Sequence, residues 1–152
     1  MKKLIAVWIA VALSAGACVW QAQYTHEQDS YELACAALDE GACTDLAAPI
    51  VVISGVPLII GAYGLYIKDE SYVYVLPQAE MDKLSIENWV TRFPTVAEVT
   101  FHETIHYILD HGENPPSRCE SEAIVRDLTA KQFNFIEDGS WRARYGCGLP
   151  RA

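Results

Sequence analysis

Apolar and polar positions divide the chain into segments of different character. Lys2 and Lys3 precede an uncharged apolar run, Leu4 to Leu13, and the small residues Ser14-Ala15-Gly16-Ala17 follow it. A membrane-spanning helix needs about 20 apolar residues, more than this run supplies. The order of charge, apolar run and small residues predicts a secretory signal over 1–17, cut after Ala17. A polar, flexible lead-in is expected over 18–29, with His26 as a solvated loop residue. The remainder, 30–152, reads as one domain. Ser30 is placed to cap a short helix to about Leu38, which Asp39-Glu40-Gly41 ends.

From Leu46 to Ile67 no residue is charged, but Pro49, Gly55, Pro57, Gly61 and Gly64 punctuate the stretch. That punctuation argues against a membrane span. The pieces between, 50–53, 58–60 and 65–67, predict buried strands. Lys68-Asp69-Glu70-Ser71 is a polar turn and Tyr72 to Leu76 a further strand, so 65–76 predicts a hairpin that Pro77 ends. Helices follow. Met81 to Trp89 predicts a short one. Thr95-Val96-Ala97-Glu98 has the capping-box pattern and opens a helix that should stop near Gly112. Ser117-Arg118-Cys119-Glu120 repeats the pattern and opens a helix to about Phe135. The tail, 136–152, predicts irregular structure tied down by Cys147. Strands followed by helices make the fold class α+β.

Composition narrows the function. The chain is 51% hydrophobic and 20% charged, which permits a buried core. Its 11 Lys+Arg against 20 Asp+Glu give a formal charge of −9, so no nucleic acid partner is expected. The five cysteines are Cys18, Cys35, Cys43, Cys119 and Cys147. An odd number in an exported chain leaves one thiol over. Ala15-Gly16-Ala17-Cys18 resembles a bacterial lipobox, with Ala15 where Leu is usual. Lipid on Cys18 would be the one membrane contact and would leave the others for two disulfides. Cys35–Cys43 and Cys119–Cys147 are favoured because each closes a short loop. The expected compartment is oxidising, the periplasm or cell envelope.

The candidate chemistry lies in the 95–111 helix, as His102-Glu103-Thr104-Ile105-His106. Residues four apart lie one turn apart on one face of a helix, so both imidazoles can hold one metal ion, expected to be Zn²⁺. Glu103 beside them is the expected general base toward a metal-activated water. A catalytic zinc usually takes three protein ligands. His111 points away from the pair while the helix continues, and Glu113 lies in the connecting loop. With Glu120 as zero on the next helix, Ile124 lies about 40° and Leu128 about 80° round, whereas Glu122 lies about 200° round. Glu120 therefore borders the apolar stripe and is the favoured third ligand. Its place in the capping box is a competing role, and Glu122 is the alternative. Asp127 is a candidate partner for a ligand histidine.

His102-Glu103-Thr104-Ile105-His106 followed by Glu120-Ser121-Glu122-Ala123 resembles small bacterial gluzincin zinc metallopeptidases of the ImmA/IrrE or minimal-gluzincin type. The similarity covers about residues 65 to 135. In many gluzincins the third ligand is a Glu three residues before a small residue, a register that Glu120 holds to Ala123. Ile124 stands where Asp or Asn often follows. The resemblance implies a zincin-like fold, a small sheet or hairpin packed on the HExxH helix and on a Glu-bearing helix. It also implies peptide-bond hydrolysis of a peptide or protein substrate and an edge strand that pairs with that substrate, here Tyr72 to Leu76. A proton donor to the oxyanion is implied too, for which Tyr63, Tyr66, Tyr107 and Tyr145 are candidates. Two other readings remain. One is a non-catalytic envelope protein with a structural or vestigial metal. The other is a disulfide-stabilised binding module, which predicts His102 and His106 apart or facing solvent.

Overall fold

The computed structural model describes residues 29–148 except 40, 89 and 91. The expected signal 1–17, Cys18 and nearly all of the lead-in, His26 included, lie outside the described residues.

The described chain begins in a helix over 29–38, here α1, in which Ser30 is already a buried helical residue rather than the cap. The Cys35–Cys43 disulfide staples α1 to the following turn, and the Tyr31 hydroxyl donates to the Leu46 carbonyl. Three strands come next: β1 (Ile50–Ile53), β2 (Gly64–Tyr66) and β3 (Tyr72–Val75). Their order is β1-β3-β2, with β1 parallel and β2 antiparallel to β3. The β2–β3 pair is the expected hairpin. Its position corrects one expectation. Residues 72–75 form the central strand, bonded on both sides, so the edges are β1 and β2 and a substrate strand cannot add to β3.

The expected strand at 58–60 is a 3₁₀ helix, Val56–Ile60. Pro57 sits in its first turn, where a missing N–H costs nothing, and Gly61 ends it in the left-handed region at φ 66°. Its side chains are not core: Ile59 is 83% and Ile60 62% exposed. No helix among the described residues is long and apolar enough to cross a membrane.

Four more helices follow: α2 (Gln78–Glu87), α3 (Val96–His111), α4 (Arg118–Gln132) and α5 (Trp141–Arg144). Thr95 caps α3 by accepting from the Glu98 amide, but the box is only half made. The Glu98 carboxylate turns instead to the Arg92 guanidinium in a bidentate pair at 2.5 and 2.7 Å. At Ser117 and Glu120 both halves of the box are present. The Cys119–Cys147 disulfide ties the tail to the start of α4, as expected.

α3 is the axis of the domain. The sheet packs on one side of it and α4 on the other. Phe101, Ile105 and Ile108 are almost fully buried with Val73, Val75, Leu76, Met81 and Val125. The buried Thr100 and Thr104 hydroxyls donate back to the carbonyls one turn earlier, each at 2.7 Å, so the helix can be enclosed without orphan groups. The architecture is α+β with a small mixed sheet.

Candidate metal centre

Burial of α3 on two sides brings its motif face against α4. The rings of His102 and His106 lie 5.1 Å apart between centroids. Across from them stands the buried carboxylate of Glu122. His102, His106 and Glu122 each offer a ligand atom, all within 4.8 Å of one another, a group able to hold a metal ion. The donor set, two imidazoles and one carboxylate, is that of known catalytic zinc sites and leaves a further coordination position open.

Glu120 is not part of this group. Its carboxylate accepts from the Ser117 amide at 2.9 Å, closing the capping box, and it is exposed. Those Ser117 hydrogen bonds hold its pKa below the usual carboxylate range. The helical wheel favoured it because Ile124 and Leu128 were read as the buried stripe. The stripe that meets α3 instead runs through Glu122, Val125 and Thr129, and Ile124 is 36% exposed. Glu113 is exposed in the loop, and the His111 ring donates to or accepts from no group of the centre; its Nδ1 donates to the Tyr107 carbonyl at 2.8 Å.

Each imidazole is oriented through its second nitrogen. His106 Nδ1 lies 2.9 Å from Ser121 Oγ, while Nε2 faces Glu122 Oε1 at 3.6 Å. His102 Nδ1 lies 3.5 Å from Thr129 Oγ1, at the long limit of a hydrogen bond. The Thr129 proton is already donated to the Val125 carbonyl at 2.7 Å, so the ring nitrogen must be the donor. That tautomer leaves the His102 Nε2 lone pair for a metal. Asp127, the sequence candidate for this role, pairs with Lys131 on the exposed side. Ser121 and Thr129 were missed because hydroxyl residues beside a motif carry no spacing rule of their own.

The charges fit the same use. Burial lowers the pKa of both imidazoles, well below the ordinary value for His102 and to about 4 for His106. Each positive neighbour adds to the effect: His106 and Arg126 for His102, Arg126 for His106. Both are therefore neutral at pH 7, as ligands must be. Burial pushes Glu103 up to about 8, and Glu122 pushes the same way; the Tyr66 amide and Arg126 oppose them. Arg126 Nε holds the other Glu122 oxygen at 3.1 Å, and its Nη1 reaches Glu137 at 3.5 Å. It fixes the Glu122 carboxylate so that Oε1 is the atom left toward His106.

Glu103 is positioned from the sheet. Its Oε2 accepts from the Tyr66 amide at 3.0 Å. Strand β2 can come so close only because residue 64 is glycine. A Cβ there would lie 2.5 Å from Val99 Cγ1 and 2.7 Å from Glu103 Cγ. Gly64, read in the sequence as a turn residue, is the point of closest approach between sheet and metal helix.

A cavity of about 530 Å³ opens beside the centre, with His102 and Glu103 in its wall together with Gly64, Thr129, Arg126 and Tyr145. The four tyrosines sort themselves by their hydroxyls. Tyr63 shares a 3.0 Å hydrogen bond with the buried Ser85, Tyr66 donates to Asp110 at 2.8 Å, and Tyr107 donates to the Ala47 carbonyl at 2.8 Å. Tyr145 lines the cavity, and its hydroxyl has no hydrogen-bond partner among the described residues.

Comparison of the chain with family models, curated proteins and solved structures finds no match.

Proposed function

We propose that the chain is a zinc-dependent metallopeptidase of gluzincin type, with His102, His106 and Glu122 as zinc ligands and Glu103 as general base. The observation that carries this reading is the convergence of two neutral imidazoles and one carboxylate beside the half-buried Glu103 at the wall of an open cavity. Zinc held there would polarise the scissile carbonyl and lower the pKa of a water toward about 7.

The protein side of the reaction follows from the contacts. Glu103 Oε2 is fixed by the Tyr66 amide, which leaves Oε1 to take a proton at the centre and return it to the leaving amine. In the metal-free chain burial holds the Glu103 pKa up at about 8, and a cation bound beside it would lower that value and favour the carboxylate that a general base requires. The Tyr145 hydroxyl is the uncommitted donor for the developing oxyanion. Alternation along the β2–β3 pair turns the backbone groups of Gly64 outward, since the Leu76 amide bonds the neighbouring Tyr63 carbonyl at 2.9 Å. The Tyr66 amide on that edge of β2 is committed to Glu103, so the Gly64 backbone groups are the ones that could receive an extended peptide. The two disulfides support export to an oxidising compartment.

A structural metal site is usually closed by four protein ligands. Three are gathered here among the described residues, which favours an open, catalytic centre. The close, part-buried histidine rings argue against a metal-free binding module. The test is a peptide-library digest beside metal analysis of Glu103→Gln. The proposal expects this variant to keep its zinc and lose cleavage by about a hundredfold or more. Cleavage at the parent rate by the zinc-loaded variant would contradict it.

A further inference from the structure

The cations of this acidic chain are unevenly placed. Arg92, Arg118, Arg126 and Arg144 all border the cavity beside the metal centre. The other described cations are Lys68, Lys83, Lys131 and Arg142. Two of the cavity arginines are internally matched: Arg92 holds Glu98, and Arg126 holds Glu122 and Glu137. Arg118 and Arg144 are not. Both are exposed at the cavity, and neither has a carboxylate partner among the described residues. Arg118 lies over the Tyr145 ring at 5.1 Å, which orients its guanidinium without consuming its hydrogen-bond donors. Arg144 precedes Tyr145 in α5, and Cys147 fastens this segment to Cys119, the residue after Arg118. One disulfide thus holds both guanidinium groups at the same wall.

An acidic protein repels anionic ligands everywhere except where such a group is concentrated. Guanidinium pairs suit planar carboxylates, which they can grip with two parallel hydrogen bonds. We propose that this cavity selects ligands bearing a carboxylate, read by Arg118 and Arg144, so that the substrate is an anionic peptide. The inference rests on the peptidase reading of the adjacent centre for the word substrate, but not for the anion site itself. The carboxylate has two possible sources, a free peptide C-terminus or an acidic side chain. The first makes the activity an exopeptidase and the second an endopeptidase with acidic preference.

The test is calorimetric titration of the full chain, disulfides intact and carrying Glu103→Gln to prevent turnover, at low ionic strength. The probes are N-acetyl-tetraalanine with a free C-terminus, its C-terminal amide, and two amidated peptides differing only by Glu or Gln. The charged member of at least one pair should bind about tenfold tighter than its neutral twin, and added salt should shrink the gap. Which pair shows the gap identifies the carboxylate's source. Arg118→Gln with Arg144→Gln should erase it, whereas Lys83→Gln, away from the cavity, should leave it intact. Equal binding of charged and neutral probes, no binding of any probe, or a gap that survives the double variant overturns the proposal. The two readings fail separately. Cleavage of peptides without charge preference would sink the anion site and spare the peptidase, and a charge gap in a chain that cleaves nothing would do the reverse.

Discussion

The two helices that bring His102, His106 and Glu122 together are held by different forces. α3 is gripped by apolar side chains on both sides, with Phe101, Ile105 and Ile108 almost fully buried. α4 buries a mixed face, on which the polar Glu122 and Thr129 stand beside the apolar Val125 and Ala130. Its position depends on a capping box, a disulfide and hydrogen bonds to the histidines. The contrast separates scaffold from chemistry. α3 presents a fixed pair of imidazoles because the core fixes it, whereas α4 turns inward the Glu122 carboxylate and the hydroxyls that orient the rings.

Removing the packing on α3 should do the most damage. Phe101→Ala empties a fully buried site and should cost about 3–5 kcal/mol in urea unfolding, with or without metal. A loss under about 1 kcal/mol would mean that α3 is not the axis of the core.

A change on α4 should do the opposite. Ser121→Ala removes the partner of His106 Nδ1 and should weaken zinc binding about 10- to 100-fold, read by competition with a chelating dye. Stability of the metal-free chain should barely change, and Asp127→Ala should leave zinc affinity alone. Equal effects of the two substitutions would erase the distinction between the helix faces.

The pH dependence of the metal-free chain sharpens the comparison next. His106 titrates at about 4 when folded and at 6.5 when free, and His102 is shifted in the same direction. Between those values the unfolded chain binds protons that the folded chain refuses, so stability rises with pH. Glu103 has the opposite sign. At about 8 against 4.5, it keeps a proton in the folded chain that the unfolded chain has lost, and stability falls as pH rises through that window. Two imidazoles outweigh one carboxyl below about pH 6.5, and Glu103 acts alone above it. Chelator-treated chain should therefore be most stable near pH 6.5. Each limb should slope by about 1.4 kcal/mol per pH unit for each proton not offset. Glu103→Gln should flatten the alkaline limb. A limb unchanged by that substitution would remove Glu103 from the balance.

Legibility from sequence follows the same division. The pairing of the α3 histidines was readable because helical periodicity ties His102 to His106 and leaves Glu103 beside them. Both disulfide pairings were readable because short loops close most easily. The grouping of Glu122, rather than Glu120, with the histidines was not readable because the apolar stripe of α4 does not mark the face it buries. Threonine and glutamate hold that face, and Ile124 is left exposed. The strand at 58–60 failed for a related reason: β-branched residues were counted, while Pro57 and Gly61 set the backbone. The central place of β3 was not readable at all, since the parallel pairing of β1 with it depends on a crossover that no local pattern encodes. Gly64 and Arg126 became visible only once sheet and helix were brought together.

The central claim is the identity of the third ligand, and zinc stoichiometry tests it most directly. Metal content of the purified chain should be compared with that of Glu122→Ala and Glu120→Ala. The account predicts about one zinc per chain in the parent and in Glu120→Ala, and none in Glu122→Ala. Zinc retained by Glu122→Ala but lost from Glu120→Ala would contradict it.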